Sequence, residues 1–377
     1  MNDIPINYSS LVIDCGSGIV KAGFGGEDGP RSIFSSVVGI PKMPGLLVGM
    51  EQKERYVGEE AIAKMDIMNF SSPIEKGEIV DWNKFETLLH HLFYDELKVV
   101  PEEISILITE SPLNKKENRA KLAETLFETF NVEKLHIANS AMLGLYSYGK
   151  TNGIVLDSGY SLTTCVPVYE GYPLPHASLK LNLGGVDLSD ALLSMIYHNI
   201  NPSFKGIKGR LLADDIKEKL GYIALNSEEE EKFYYENVDG EKLYTLPDNI
   251  KIRLGRELFM HSEVLFKPEN DNISVPKLII DSLSKCDSDI INDLKENICL
   301  IGGNTLFKGF TERLKNELVH NLNSNSFNLI YTPERQFSSW IGGSIISSLN
   351  NFNYMWVTKQ EYDEIGDALE AIDSKCF

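Results

Sequence analysis

Apolar and polar positions follow two rhythms along this chain. Short apolar runs rich in β-branched residues occur at Leu11–Ile13, Ile104–Glu110, Gly153–Leu156 and Cys299–Ile301. Runs of this kind bounded by turn residues predict buried strands. Between them apolar residues recur at spacings of three and four. Lys115–Phe130 places Leu122, Leu126, Phe127 and Phe130 on one face and predicts an amphipathic helix; Asp214–Asn226 and Phe310–Leu322 predict two more. Strand and helix patterns alternating over most of the length predict an α/β class. Pro41–Tyr56 carries an apolar tip, Leu46-Leu47-Val48, between Gly and Pro, and predicts an exposed loop on a small inserted domain. Lys267–Lys277 is polar and predicts a loop, and the run Glu228–Glu231 predicts a solvated face or loop.

Two of the strand-like runs end alike. Leu11-Val12-Ile13-Asp14 leads into Cys15-Gly16-Ser17-Gly18, and Ile154-Val155-Leu156-Asp157 leads into Ser158-Gly159. A polyphosphate needs backbone N–H donors at close range, and only turns of small residues let a backbone approach that closely. Two such turns facing each other would hold phosphates from both sides. Mg²⁺ keeps several waters and takes one or two carboxylates, a role that suits Asp14 and Asp157, acting through water. Lys21 would reach a phosphate as a point charge, and Gly302-Gly303 offers a further backbone cradle. One such turn alone is more often just a turn; the recurrence in matching strand contexts is what raises its weight.

Length and charge narrow the reading. At 377 residues the chain is too long for one ordinary core and implies two domains or a large bilobal fold. The net charge is −19 with no Lys/Arg cluster, which argues against nucleic acid as a partner. Cys15, Cys165, Cys286, Cys299 and Cys376 form no C-x-x-C pair and fit a reduced intracellular compartment. Met1–Ser10 shows no basic-then-apolar leader, and no apolar run reaches the roughly 18 residues a membrane helix needs, so neither a signal peptide nor membrane insertion is expected.

Longer segments are more specific. Leu11–Pro30 (LVIDCGSGIVKAGFGGEDGP), Tyr56–Ala61, Pro73–Leu97, Thr109–Arg119, Leu156–Gly159, Val166–Ala177, Asp215–Leu225, Gly302–Phe310, Pro333–Ile345 and Met355–Phe377 resemble, in order and nearly end to end, the corresponding segments of actins. The resemblance implies the bilobal fold shared by actin, Hsp70 and sugar kinases: two related halves, each with a five-stranded sheet and a smaller inserted subdomain, and a nucleotide in the central cleft. It implies a first lobe over residues 1–147, completed by 340–377, with an insert at 36–72. The second lobe would span 148–339, with an insert at 185–265. The implied cofactors are ATP or ADP with Mg²⁺, Ca²⁺ substituting in vitro. Asp14, Gly16, Ser17, Gly18 and Lys21 would form the first phosphate site, and Asp157, Ser158 and Gly159 the second. Lys217, Glu218, Gly185, Gly302, Gly303 and Thr305 would border adenine and ribose; without the resemblance, Lys217 and Glu218 would read as an exposed helix face.

Several positions depart from the family pattern. Ser140 stands where actins carry the glutamine that orients the attacking water, and Thr164 where they carry a histidine beside it. Tyr160 and Ser161 replace an aspartate and a glycine of the second phosphate loop, Lys76 replaces the methylated histidine, and Gln336 replaces a lysine next to adenine. Hydrolysis depends on positioned water, and this pair is short and lacks an imidazole, so a weak ATPase with slow hydrolysis is expected. The stretch matching the apolar plug, Glu269–Ile273, is polar and shorter, and only Asp3 is acidic before Asp14. Gly45–Lys53 keeps Val48, Gly49 and Met50 of an exposed subunit-binding loop, and Tyr146, Ile346, Leu349 and Met355 keep an apolar groove suited to the helix of an actin-binding protein. The resemblance thus implies a cytoplasmic cytoskeletal protein that assembles with itself or with actin. Its alternatives are a non-polymerising subunit of a nuclear or other complex and, from another class, an ATPase or kinase of the same superfold. The latter is disfavoured because the matches outside the phosphate loops are to actins.

Overall fold

A computed structural model of the protein describes residues 10–43, 53–236, 240–268, 273–322 and 325–376. The apolar tip Leu46–Val48 with Gly49 and Met50, the plug positions 269–272 and the tail with Asp3 lie outside the described residues.

Two mixed sheets carry the chain. In the first the order is Val357–Thr358, Lys134–Asn139, Ser105–Glu110, Ser10–Cys15, Ile19–Phe24 and Ser32–Ser35. In the second it is Tyr172–Pro173, Thr163–Tyr169, Gly153–Ser158, Ile298–Ile301 and Leu329–Ile330, with Leu179–Leu181 also on Thr163–Tyr169. The sheets repeat one plan. An antiparallel hairpin, Ser10–Cys15 with Ile19–Phe24 or Gly153–Ser158 with Thr163–Tyr169, has a parallel strand on its other side. Each sheet has six strands rather than the expected five, because two-residue pairings such as Val357–Thr358 and Tyr172–Pro173 extend the borders. Leu11, Ile13, Ile106 and Ile137 bury one face of the first sheet, and Ile154, Leu156, Ile298 and Leu300 one face of the second. The inserts carry a three-stranded sheet (Val38–Pro41, Tyr56–Val57, Met68–Ser71) and a hairpin (Lys242–Thr245, Lys251–Leu254).

Helix ends differ from the periodicity where backbone partners decide. The segment Asp214–Asn226 was expected to be helical, but the helix runs Gly206–Leu220. Beyond Gly221, the N–H of Tyr222 donates to Leu258 O and that of Ile223 to Lys308 O, so Tyr222–Ala224 join other parts of the lobe while prolonging the apolar pattern. The Lys115–Phe130 helix begins at Lys116, and from Thr125 its turns widen to π spacing; Leu122, Leu126, Phe127 and Phe130 are buried as expected. Part of the expected loop Lys267–Lys277 is helix: Val275–Ser284 starts there, its first turn closed by the Ser274 hydroxyl accepting from the Lys277 N–H. Phe310–Leu322 is a helix over that range, and Glu228–Glu231 lie on the helix Ser227–Glu236, which buries none of its residues.

The two sheets meet through a pair of helices. Ser140–Ser147 follows the strand Lys134–Asn139 directly, with the Asn139 side chain accepting from the N–H groups of Ala141 and Met142. Its Ala141 and Leu145 pack with Val155, Val166, Cys299 and Ile301 of the second sheet, while Leu143 packs with Val12, Leu107 and Trp340 of the first lobe. Ser338–Ser347 crosses it at backbone contact, since a Cβ on Gly342 would fall inside the Leu143 carbonyl oxygen. Gly144 is bare on a different side of the helix, toward the second sheet: a Cβ there would come within 2.6 Å of the Ile301 side chain. Gly342→Ala must separate these helices, and overpacking of this kind costs about 3 kcal/mol. Thermal denaturation should show a midpoint several degrees below wild type; an unchanged midpoint would mean the helices are not held together there.

Candidate functional site

The cleft between the lobes encloses about 1470 Å³ and is lined from both sheets. Its floor is made by the two equivalent hairpins. In the first, Asp14 is paired across the strands with Lys21, and the side chains meet at 2.8 Å. The other Asp14 oxygen accepts from the Thr109 hydroxyl at 2.7 Å, from the neighbouring parallel strand. In the second hairpin, Asp157 is paired across the strands with Thr164. The spacing that separates Asp14 from Asp157 also separates Lys21 from Thr164, so one repeat places a cation and the other a hydroxyl opposite its carboxylate. Asp157 has no such partner, and burial pushes its carboxyl up to about 6, with Lys21 pulling it down and Asp14 pushing it further up. The Thr164 hydroxyl is buried and has no hydrogen-bond partner.

The expected site residues fall into two groups. Asp14, Gly16, Ser17, Gly18, Lys21, Asp157, Gly159, Gly185, Lys217, Glu218, Gly302, Gly303, Ser140 and Thr164 all line the cleft. The hydroxyls of Ser158 and Thr305 do not: Ser158 pairs with Thr163 at 2.9 Å, and Thr305 donates to Gly302 O and accepts from Arg335. Lys217 is not on an exposed face. Its ammonium is buried and donates to Gly185 O, the Ser189 hydroxyl and Asp214. Two residues not singled out from the sequence hold the site in shape. Thr109 orients Asp14, and Asn304 donates to Gly159 O at 2.7 Å and Ser158 Oγ at 3.2 Å, tying the Gly302-Gly303 turn to the second hairpin. Asn304 lies inside a turn that was recognised; Thr109 shows no local signal, because its role depends on parallel pairing.

These features suit a nucleotide with a hydrated divalent cation. Gly302 has φ +87°, and a Cβ there would meet the Asp157 carboxylate at 2.5 Å, so the turn stays bare at the cleft. Asp14 and Asp157 are hard oxygen donors, and an orphaned hydroxyl beside Asp157 can hold water. Among the described residues no group of three or more His, Cys, Asp or Glu side chains could hold a metal ion, so a cation here would take its remaining ligands from water and phosphate.

The family model described as Actin matches residues 6–377. The chain belongs to the actin family. It is 41% identical, over the whole of both chains, to a Dictyostelium discoideum protein named "Putative actin-29". The fold is accordingly the actin-type bilobal α/β fold. Among the described residues no helix is long and apolar enough to cross a membrane.

On this actin-like chain, Tyr146, Ile346, Leu349 and Met355 line one groove of about 580 Å³ with Met142, Phe352 and His136. His136 is held by Nδ1–H donating to Met355 O at 3.0 Å and packs edge-on against Phe352. Burial drives its pKa down to about 4, Met355 O opposing and Arg119 adding to the shift; His261, buried in the second lobe, is driven to a similar value. A histidine whose folded pKa is depressed contributes stability in full above the unfolded value near 6.5, and loses it as pH falls toward 4. Each such group accounts for at most roughly 3 kcal/mol. His136→Gln should lower the melting temperature at pH 7.5 but flatten its fall between pH 6.5 and 4.5. An equally steep fall in the variant would show that His136 is not part of the acid transition.

Proposed function

We propose that this actin-family protein binds Mg–ATP or Mg–ADP between its lobes and, so loaded, assembles with itself or with actin at the cytoskeleton of the cytoplasm, the nucleus being the alternative location. One observation carries the reading: Asp14 and Asp157, each on an equivalent hairpin, face one cleft in which Asp157 makes no direct ion pair and the Thr164 hydroxyl lacks any partner. The Gly16–Gly18 and Gly302-Gly303 turns offer backbone donors, Lys21 a positive charge, and Glu218 a carboxylate for the sugar. The nucleotide's phosphoanhydride would supply the free energy that separates assembled from free states. Ser140 and Thr164, at the cleft, are the short replacements for a water-positioning pair, which supports slow hydrolysis, read as phosphate release. The groove at Tyr146, Ile346, Leu349 and Met355 supports binding of actin-binding proteins through an apolar helix.

Ligand binding stabilises the folded state by mass action, about 2.7 kcal/mol at 100 times Kd. The melting temperature should therefore rise by several degrees with Mg–ADP or Mg–ATP, and by less in Asp157→Ala or when EDTA replaces Mg²⁺. No rise with either nucleotide at millimolar concentration would sink the reading. Sedimentation at micromolar concentration, with and without actin, tests assembly: the protein should pellet alone or with actin, and a protein that stays in the supernatant under both conditions removes assembly from the proposal.

A further inference from the structure

The two phosphate hairpins touch each other through protein atoms. Ser161 Oγ sits 2.7 Å from Ser17 Oγ on the opposite hairpin and accepts from the Lys76 N–H at 3.1 Å. Beside it the Tyr160 side chain packs on the bare Cα of Gly18: a Cβ on that glycine would lie 2.7 Å from Tyr160 Cγ and 2.8 Å from its Cβ. The ring then reaches toward the second lobe's Lys217, whose ammonium is 5.8 Å from the ring centroid. Ser17 and Gly18 belong to the first lobe, Tyr160, Ser161 and Lys217 to the second, and Tyr160 lines the cleft.

A phosphate gripped between two hairpins needs donors on opposite sides, each about 2.8 Å from one of its oxygens. Two hydroxyls already in hydrogen-bond contact leave no such space. Two phosphates can lie along the backbone of Gly16–Gly18 and reach Lys21 without disturbing this contact. A third must part Ser17 from Ser161 and displace the ring. We propose that Tyr160 and Ser161 form a bridge that makes the cleft select a nucleoside diphosphate over the corresponding triphosphate. This inference rests on the nucleotide-binding reading above.

Titration calorimetry with Mg–ADP and with the Mg complex of a non-hydrolysable β,γ-imido triphosphate tests it. The wild-type protein should bind the diphosphate at least about tenfold more tightly, the ratio expected when a hydroxyl hydrogen bond and a ring contact are broken for one ligand only. The ratio should fall toward one in Tyr160→Ala/Ser161→Ala. Each single change should move it part-way, so the proposal stays testable if the double variant does not fold. Tyr160→Phe should keep the preference, because the ring and not its hydroxyl fills the space. Equal affinities in the wild type, or a ratio unchanged in the alanine variants, would overturn the selectivity while leaving nucleotide binding intact. Heat from neither ligand would overturn both.

Discussion

Everything at the cleft depends on how closely the helix Ser338–Ser347 lies on Ser140–Ser147. The contact is backbone to backbone because Gly342 carries no side chain where the Leu143 carbonyl sits. Ser140–Ser147 begins at the end of a first-lobe strand and buries Ala141 and Leu145 against the second sheet, so one helix belongs to both cores. The Trp340 indole N–H donates to Val12 O at 3.1 Å, two residues before Asp14, which ties the crossing helix to the strand that carries the first carboxylate. Interiors packed this tightly have few alternative arrangements. The distance between the two hairpins is therefore set by helix packing behind them rather than by the polar groups at their tips.

Within that frame the two hairpins are chemically unequal copies. Asp14 has Lys21 and Thr109 on its two oxygens; Asp157 has a threonine opposite and no donor, and its ionised form is penalised by burial. Asp157 stands half-buried on the wall of the large cleft, with the bare Gly302 against it. The tips show the opposite economy. Ser17, Ser161 and Lys76 satisfy one another across the lobes, and Tyr160 fills the space above Gly18, so the hairpins are joined at the tips and open at the floor.

What the sequence determined by itself was local. Strand identity followed from apolar β-branched runs, the helices Phe310–Leu322 and Lys116–Thr129 from their spacing, and the hairpin turns from small residues after Asp14 and Asp157, because each of these signals lies within a few positions of the chain. The family resemblance added the bilobal arrangement and pointed to the cleft. Where a backbone group finds a distant partner, local pattern failed: the apolar Tyr222–Ala224 prolonged a helix that ends at Leu220, since the N–H groups of Tyr222 and Ile223 bond to other segments. Only the tertiary structure decided that Thr109 would serve Asp14, that the Ser158 and Thr305 hydroxyls would turn away from the cleft, that Lys217 would be buried, and that Tyr160 and Ser161 would meet Gly18 and Ser17. The contacts of Thr109 with Asp14, Lys217 with Gly185 and Ser161 with Ser17 join residues far apart in sequence, and their distances are fixed by sheet pairing and helix packing, which no short window of sequence contains.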